Sequence, residues 1–362
     1  MTLRYGVIGA GVVAPLHLKA IAALHDVELV GISALVPEEV APLAAEAGCP
    51  WFVDHRELLA RAPDVVVVCT PHPSHPMLTI DALEAGAHVL VEKPLAVEVR
   101  QADEMIDAAG RAGRTLGVCF QQRFRPVIAA AHALVVDGRV GELIRASIID
   151  PLYRPNADYG TAAWRGTWTG EGGGVLMNQA PHTLDLLCHL AGAPATVWGV
   201  SRRRSQPMET EDTATALLEY ENGAVGTIAV STTEPGVQRI EIVGDRGRID
   251  IVGETIAFSR FEPPVAEHLR SATGMFDAPA SVEQPVVLPA GDGSHIDVHE
   301  DFAAAVRTGS EPRVPARSGL CSLELANAIV LSTHTREAVS LPVDREAYAD
   351  LLADLRSGVA TL

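Results

Sequence analysis

Long apolar runs, paired cysteines, internal repeats and basic charge are all scarce in this chain of 362 residues. Each scarcity excludes something. The richest apolar run, Val65 to Cys69, is strand-sized, well short of the ~20 residues that cross a bilayer. The N-terminal segment enters an expected strand at Arg4. No charged stretch followed by an apolar one precedes it, so no secretory signal is expected. Cys49, Cys69, Cys119, Cys188 and Cys321 are odd in number, scattered, and form no Cys-x-x-Cys pair. That usage fits a reducing, cytoplasmic setting, with Cys69 and Cys119 as small hydrophobes in buried strands. Lys and Arg total 28 against 46 Asp and Glu, for a formal net charge of −18. No broad basic field is available, so neither nucleic acid nor an anionic membrane is expected as a partner.

What is present is core material. Hydrophobic residues make up 48% of the chain, which excludes wholesale disorder. The length points to two domains, placed at residues 1–122 and 123–362. In the first, strands at Arg4–Gly9, Glu28–Ile32, Asp64–Thr70, His88–Glu92 and Leu116–Phe120 alternate with helices at Pro15–Leu24, Glu38–Ala47, Met77–Glu84 and Val97–Ala112. Strands such as Val65-Val66-Val67-Val68 lack polar alternation and so are covered on both faces. This order gives an α/β domain with a parallel, doubly wound sheet.

After Gln121-Gln122-Arg123 the pattern changes. Leu143–Asp150, Thr196–Arg203, Thr213–Tyr220, Ala224–Ser231, Arg239–Val243 and Arg248–Val252 read as strands, several with period-2 alternation. The turn signals Glu221-Asn222-Gly223 and Asp245-Arg246-Gly247 separate some of them. Helices are expected at Pro181–Leu190, Val298–Arg307 and Leu320–Glu337. Phe261 to Asp292 reads as an irregular excursion. The second domain is therefore α+β, with a large, mostly antiparallel open sheet.

Gly9-Ala10-Gly11-Val12-Val13-Ala14 follows the first strand and opens the first helix. Gly9 permits the tight turn, Gly11 lets backbone approach a pyrophosphate, and Ala14 allows close helix–strand packing. The helix N-terminus faces the phosphates with unpaired N–H groups. Dinucleotide binding is expected, with Gly9, Gly11, Val12 and Val13 at the cofactor. The second strand ends at Gly31-Ile32-Ser33 without the customary acidic residue. Ser33 could bond a ribose hydroxyl or a phosphate. No Arg or Lys lies nearby to neutralise a 2′-phosphate, and Glu38 and Glu39 follow, so NAD is favoured, with NADP an open alternative.

Hydride transfer from an alcohol needs a base for the hydroxyl proton and donors to hold the oxygen. Three stretches supply candidates. Glu92-Lys93-Pro94 ends a central strand, where open α/β sheets place ligands. Gln121-Gln122-Arg123 ends the last parallel strand, offering Gln122 to the cofactor and Arg123 to the substrate. Gly172-Gly173-Gly174 leads to Asn178, His182 and Asp185, with His182 and Asp185 at i, i+3 on one helix face. Tyr153, Trp164 and Trp168 either stack on a sugar ring or belong to the core. Arg154 and Arg165 either meet an anionic substrate or pair with carboxylates. Taken singly, a strand-end lysine is ordinarily a surface charge and a helix histidine a core or capping group. His182, Asp185 and His189, or His295, Asp297 and His299, can be pictured as metal trios. Their spacings match no standard ligand pattern and hydride transfer needs none, so no metal is expected.

Together these residues resemble the glucose–fructose oxidoreductase/inositol dehydrogenase (Gfo/Idh/MocA) family. The resemblance spans nearly the whole chain. It rests on the Gly9–Ala14 loop, Cys69-Thr70-Pro71 with His75, Glu92-Lys93-Pro94, the triple glycine with Asn178, His182 and Asp185, and Ser322-Leu323-Glu324. It implies an N-terminal Rossmann domain and a C-terminal substrate-binding domain that forms homodimers or homotetramers through its sheet. It implies Lys93 and His182 as proton-handling residues, and Thr70, Pro71, His75, Glu92 and Lys93 along the cofactor. It also implies a cis Lys93–Pro94 bond. Many members carry Asp where this chain has Asn178; an amide cannot act as a base, which leaves that role to Lys93 or His182. The stretch Ala163-Trp164-Arg165-Gly166-Thr167-Trp168 resembles members that oxidise sugars, including nucleotide-linked ones. The expected activity is NAD(P)-dependent hydride transfer at a CH–OH carbon of a sugar, nucleotide sugar or cyclitol. Two alternatives stand beside it: glycoside cleavage through transient oxidation, which uses the same residues, and a non-catalytic nucleotide-sensing protein of the same fold, against which the intact Lys93 and His182 argue.

Overall fold

The computed structural model describes residues 2–361. Its strands are β1 (Leu3–Ile8), β2 (Val27–Ser33), β3 (Trp51–Phe52), β4 (Val65–Val68), β5 (His88–Glu92), β6 (Leu116–Cys119), β7 (Leu143–Pro151), β8 (Thr196–Arg202), β9 (Thr213–Glu219), β10 (Val225–Ser231), β11 (Arg239–Gly244), β12 (Gly247–Val252), β13 (Thr255–Glu262), β14 (Ala280–Gln284) and β15 (Val339–Ser340). The chain divides into two units. The first comprises residues 1–124, 170–172 and 292–323; the second comprises 125–169, 173–291 and 324–362. The first unit thus ends its leading segment two residues beyond the expected cut and takes in two later segments. No single cut in the sequence expresses that arrangement.

The first unit holds a six-stranded sheet in the order β3-β2-β1-β4-β5-β6, with every pair parallel. That is the doubly wound Rossmann order. The strand order reverses between β1 and β4, so a crevice forms at the carboxyl ends there. All four valines of β4 are buried, as the lack of alternation required. The helices fall close to their expected places: Ala14–Ala23, Pro37–Ala47, His75–Glu84 and Val99–Ala112.

The second unit holds a nine-stranded sheet in the order β14-β13-β12-β11-β7-β10-β9-β8-β15. Only β7 and β10 pair in parallel; the rest of the ladder is antiparallel. In β8 and β9 every second residue is buried and the residues between are exposed. One face of the sheet therefore packs on the core.

The irregular excursion expected from Phe261 to Asp292 is corrected. It holds the end of β13, the helix Val265–Ser271 and β14. β14 is an edge strand with four exposed residues in five, so it carries no inward-facing apolar set that sequence could reveal. The short β3 and β15 escaped for lack of length. Cys49, Cys69 and Cys119 are free thiols. Cys188 and Cys321 are not free thiols, which corrects the reading of the cysteines as unpaired. Among the described residues, no helix is long and apolar enough to cross a membrane.

Candidate active site

The nucleotide loop is shaped by glycine at one point and by open space at another. Gly9 has φ of +124°, and a Cβ there would lie 2.5 Å from the Cys69 carbonyl oxygen. Only glycine accepts that pairing of conformation and neighbour. Its N–H donates to the Ser33 carbonyl at 2.8 Å, which ties the loop to β2. A Cβ on Gly11 would meet nothing, and Val12 is 86% exposed. The helix Ala14–Ala23 begins here with no side chain capping it. An open backbone edge at an uncapped helix start is the surface that a pyrophosphate needs, so the residues fit a dinucleotide. Ser33 is 1% exposed, which places its side chain inside the fold rather than on the rim. The rim beyond it is apolar: Leu35 is 84% exposed and Val36 42%.

At the end of β5 the chain turns through a cis Lys93–Pro94 bond, as expected. Buried imidazoles brace this turn. His75 Nδ1 lies 2.9 Å from the Pro94 carbonyl and its Nε2 2.8 Å from the Thr70 carbonyl. Burial pushes its pKa down, so the ring is neutral and donates to one of the two oxygens. His75 thus lies between two segments of backbone and bonds one of them. His72 Nδ1 donates to the Glu171 carbonyl at 3.1 Å, and burial, with the neighbouring His75 and Lys93, pushes its pKa down to about 3. The Glu92 carboxylate points inward at 6% exposure and accepts the Lys93 N–H at 3.1 Å. Burial alone would raise its pKa, but bonds to His17 and His295 and the charge of Lys93 hold it well below the usual carboxylate range.

Lys93 is half-buried. It is one of two lysines in the entire chain; the other, Lys19, is exposed on a helix. Thr70 and Pro71 stand at the end of β4, half-buried and exposed, with Thr70 Oγ1 accepting from Ser74. Gln122 is half-buried after β6. Arg123 is 6% exposed and donates to the Ser318 hydroxyl and carbonyl at 3.0 and 3.3 Å. Its guanidinium thus has an internal partner that sequence did not suggest.

In the second unit, Asn178 lies in a wide π-type turn, Val175–Gln179, closed by the Ala180 N–H on the Val175 carbonyl at 2.7 Å. Such turns are rare and recur at functional sites. A fully buried carboxylate starts it. Glu211 Oε1 accepts the Gly174 and Leu176 N–H groups at 2.9 and 3.0 Å. A Cβ on Gly174 would fall 1.9 Å from the Glu211 carbonyl, so that approach requires glycine. The helix Pro181–Ala191 follows, with proline in its first turn and His182 and Asp185 both buried. Thr183 donates to Asp150, which also accepts from Gln238 at 2.6 Å.

Asn178 and His182 are thus brought onto one short passage. The aromatic candidates separate. Trp168 is 3% exposed and belongs to the core, whereas Trp164 is half-buried beneath Arg165, whose guanidinium carbon sits 5.4 Å from the ring centre. Arg165 also pairs with Asp158 at 3.1 Å. Tyr153 is 53% exposed. His189 stacks on His132 at 3.9 Å. Sequence reasoning missed Glu211, Asp212 and Asp150. Asp212 accepts the N–H groups of Arg204, Ser205 and Gln206. The acidic run Glu209-Thr210-Glu211-Asp212 was the available signal, and it reads as surface.

Comparison with known proteins follows the same division of the chain. Residues 3–120 match the model of an oxidoreductase family with an NAD-binding Rossmann fold, and residues 128–250 match the GFO/IDH/MocA C-terminal domain. An inositol 2-dehydrogenase of Rhizobium meliloti (strain 1021) is 26% identical over 94% of this chain and 100% of its own length. A D-glucoside 3-dehydrogenase of Escherichia coli (strain K12) is 31% identical over 67% of this chain and 75% of its own. The structure of the WlbA dehydrogenase from Bordetella pertussis in complex with NADH and UDP-GlcNAcA superposes with a TM-score of 0.80 at 28% identity, covering 95% of this chain and 100% of that one.

Proposed function

The chain belongs to the GFO/IDH/MocA oxidoreductase family, with its NAD-binding Rossmann domain, and from this we propose hydride transfer between NAD and a hydroxyl-bearing carbon of a sugar, nucleotide sugar or cyclitol. The observation that carries the reading is Lys93: one of two lysines, at the carboxyl end of β5, on a turn braced by buried imidazoles. An amine that must gain and lose a proton is useful only if its position is fixed. Arginine, which supplies nearly all the positive charge of this chain, does not titrate in the working range.

NAD, when bound, supplies the hydride acceptor. Lys93 Nζ takes the proton of the substrate hydroxyl as the carbonyl forms, and returns it in the reverse direction. His182, set in the first turn of its helix, holds the substrate oxygen and shares in proton transfer. Asn178 contributes an amide that bonds to a hydroxyl without competing as a base. Trp164 with Arg165 offers a face for a sugar ring or a charged appendage. The relatives support the substrate class: one acts on inositol, one on glucosides, and one is seen with a nucleotide sugar acid. The outward face of the second sheet exposes Trp198, Val200 and Leu217, which supports a homo-oligomer formed through that sheet.

The test is a panel of polyols, sugars, sugar acids and nucleotide sugars with NAD+ and with NADP+, read as reduced nicotinamide. Turnover on a cyclic polyol with preference for NAD+ is expected. Tight NAD binding with no turnover across the panel would overturn the reading.

A further inference from the structure

Behind the Lys93 turn, within the first unit, four side chains of unlike chemistry converge. Glu92 and Cys119 are direct partners in the parallel β5–β6 ladder, so they emerge side by side on one face. His17 comes from the sheet-facing side of the helix Ala14–Ala23 and is fully buried. His295 is the first residue of the helix His295–Thr308, whose start is fixed by a capping box between Ser294 and Asp297. His17 Nε2 lies 3.0 Å and His295 Nε2 3.5 Å from the same oxygen, Glu92 Oε1. The two rings are perpendicular, with centres 4.9 Å apart. The four donor atoms, Cys119 Sγ included, all lie within 4.8 Å of one another.

We propose that His17, Glu92, Cys119 and His295 form a buried, closed site for a divalent transition metal of the zinc type. Zinc binds nitrogen and oxygen at about 2.0–2.2 Å and sulfur at about 2.3 Å, so the edges of its tetrahedron are roughly 3.3–3.8 Å. The observed spacings bracket those edges, and ligation asks for small side-chain movements only. The charges balance as well. One carboxylate and one thiolate neutralise a divalent ion, and two neutral imidazoles complete the shell, so no net charge is buried. As the metal–sulfur bond forms, the Cys119 thiol proton leaves to solvent. Mixed sulfur, nitrogen and oxygen donors select zinc or cobalt over magnesium or calcium. A second layer is present too. His17 Nδ1 lies 2.9 Å from His299 Nε2, the kind of partner that orients a metal-bound imidazole. The trio His295, Asp297 and His299 is not the site, because Asp297 is engaged in the cap. With all four positions filled by protein, the metal is structural. It fastens two helices to the ends of β5 and β6, and through Glu92 it steadies the Lys93 turn.

Metal analysis of protein purified without a histidine tag should find about one zinc per chain. Cobalt(II) added to chelator-stripped protein should give intense tetrahedral visible bands and a thiolate-to-cobalt charge-transfer band. Cys119→Ser should lose the charge-transfer band. Should that variant not fold, His295→Gln, at a helix end, should lose the bound metal with its circular dichroism unchanged. Absence of both metal and cobalt bands overturns the proposal and leaves a hydrogen-bonded cluster that solvates Glu92. Metal and cobalt spectra unchanged by either folded variant overturn it equally, because the ion then lies elsewhere.

Discussion

At the Lys93 turn, buried side chains reach for carbonyl oxygens; at the turn that carries Asn178 and His182, they reach for N–H groups. The first turn leaves a strand; the Glu171 carbonyl accepts from His72, and His75 donates to the Thr70 or the Pro94 carbonyl. The second turn enters a helix, and the N–H groups of Gly174 and Leu176 are met by the Glu211 carboxylate. Each choice follows from which backbone group the local structure leaves without an intrachain partner. The two braces therefore respond differently to substitution. The first is lost with its N–H donor, the second with its acceptor oxygen.

The comparison can be broken most forcefully at the chemistry itself. Lys93→Met should lower turnover by about a hundred- to ten-thousand-fold. His182→Ala should cost less, because in the proposed mechanism it removes the assisting group and keeps the amine. Cofactor affinity, measured by quenching of protein fluorescence, should hardly change in either variant. Equal and modest losses in both would mean that neither turn carries the proton.

Next in size is the brace of the second turn. Glu211→Ala leaves the buried Gly174 and Leu176 donors without an acceptor, a loss of about 1–3 kcal/mol for each. Glu211→Gln keeps an acceptor oxygen and should lose about half as much, measured by urea unfolding. Equal stability of the alanine variant and the parent would show that the carboxylate does not hold this turn. Thr183→Val is smaller still. It removes the donor to Asp150 but leaves the Gln238 bond, so about 2 kcal/mol is expected in the same assay.

Legibility divides along the same line. Most of the first sheet was readable because its strands are apolar runs or end in glycine, and β7 to β12 because they alternate. β13 and β14 were not, since strands with almost no buried side chains leave no periodic mark. Lys93 was readable from its proline and its place at a strand end. That it is one of two lysines is a second signal in the same sequence. The braces were not readable. Glu211 acts on backbone 37 residues away. The cluster of His17, Glu92, Cys119 and His295 joins four elements, with no spacing that a ligand pattern could announce. The positions of unsatisfied backbone groups are a property of the folded chain, and those positions decide where such residues are needed.

The smallest effect sharpens the comparison through pH. His72 is buried and donates from Nδ1 to the Glu171 carbonyl, with its pKa pushed down from 6.5 to about 3 by burial first and by His75 and Lys93 after it. The folded state therefore keeps this ring neutral while the unfolded chain protonates it below pH 6.5. Between pH 6.5 and about 3 the unfolded state binds the extra proton. Stability from this group is complete above 6.5 and declines as pH falls through that window. One pH unit below 6.5 the decline is about 1.4 kcal/mol. His72→Gln places a carboxamide that can donate to the same carbonyl and does not titrate. The difference in unfolding free energy between parent and variant should shrink by about that amount between pH 7.5 and 5.5, because the carboxylates and His75 titrate in both proteins and cancel. Urea unfolding at the two pH values measures it. If the two stability curves run parallel, His72 takes up its proton in the folded protein at an ordinary pH. The Glu171 carbonyl would then be served by a charged ring, and the contrast between the turns would fail on that side.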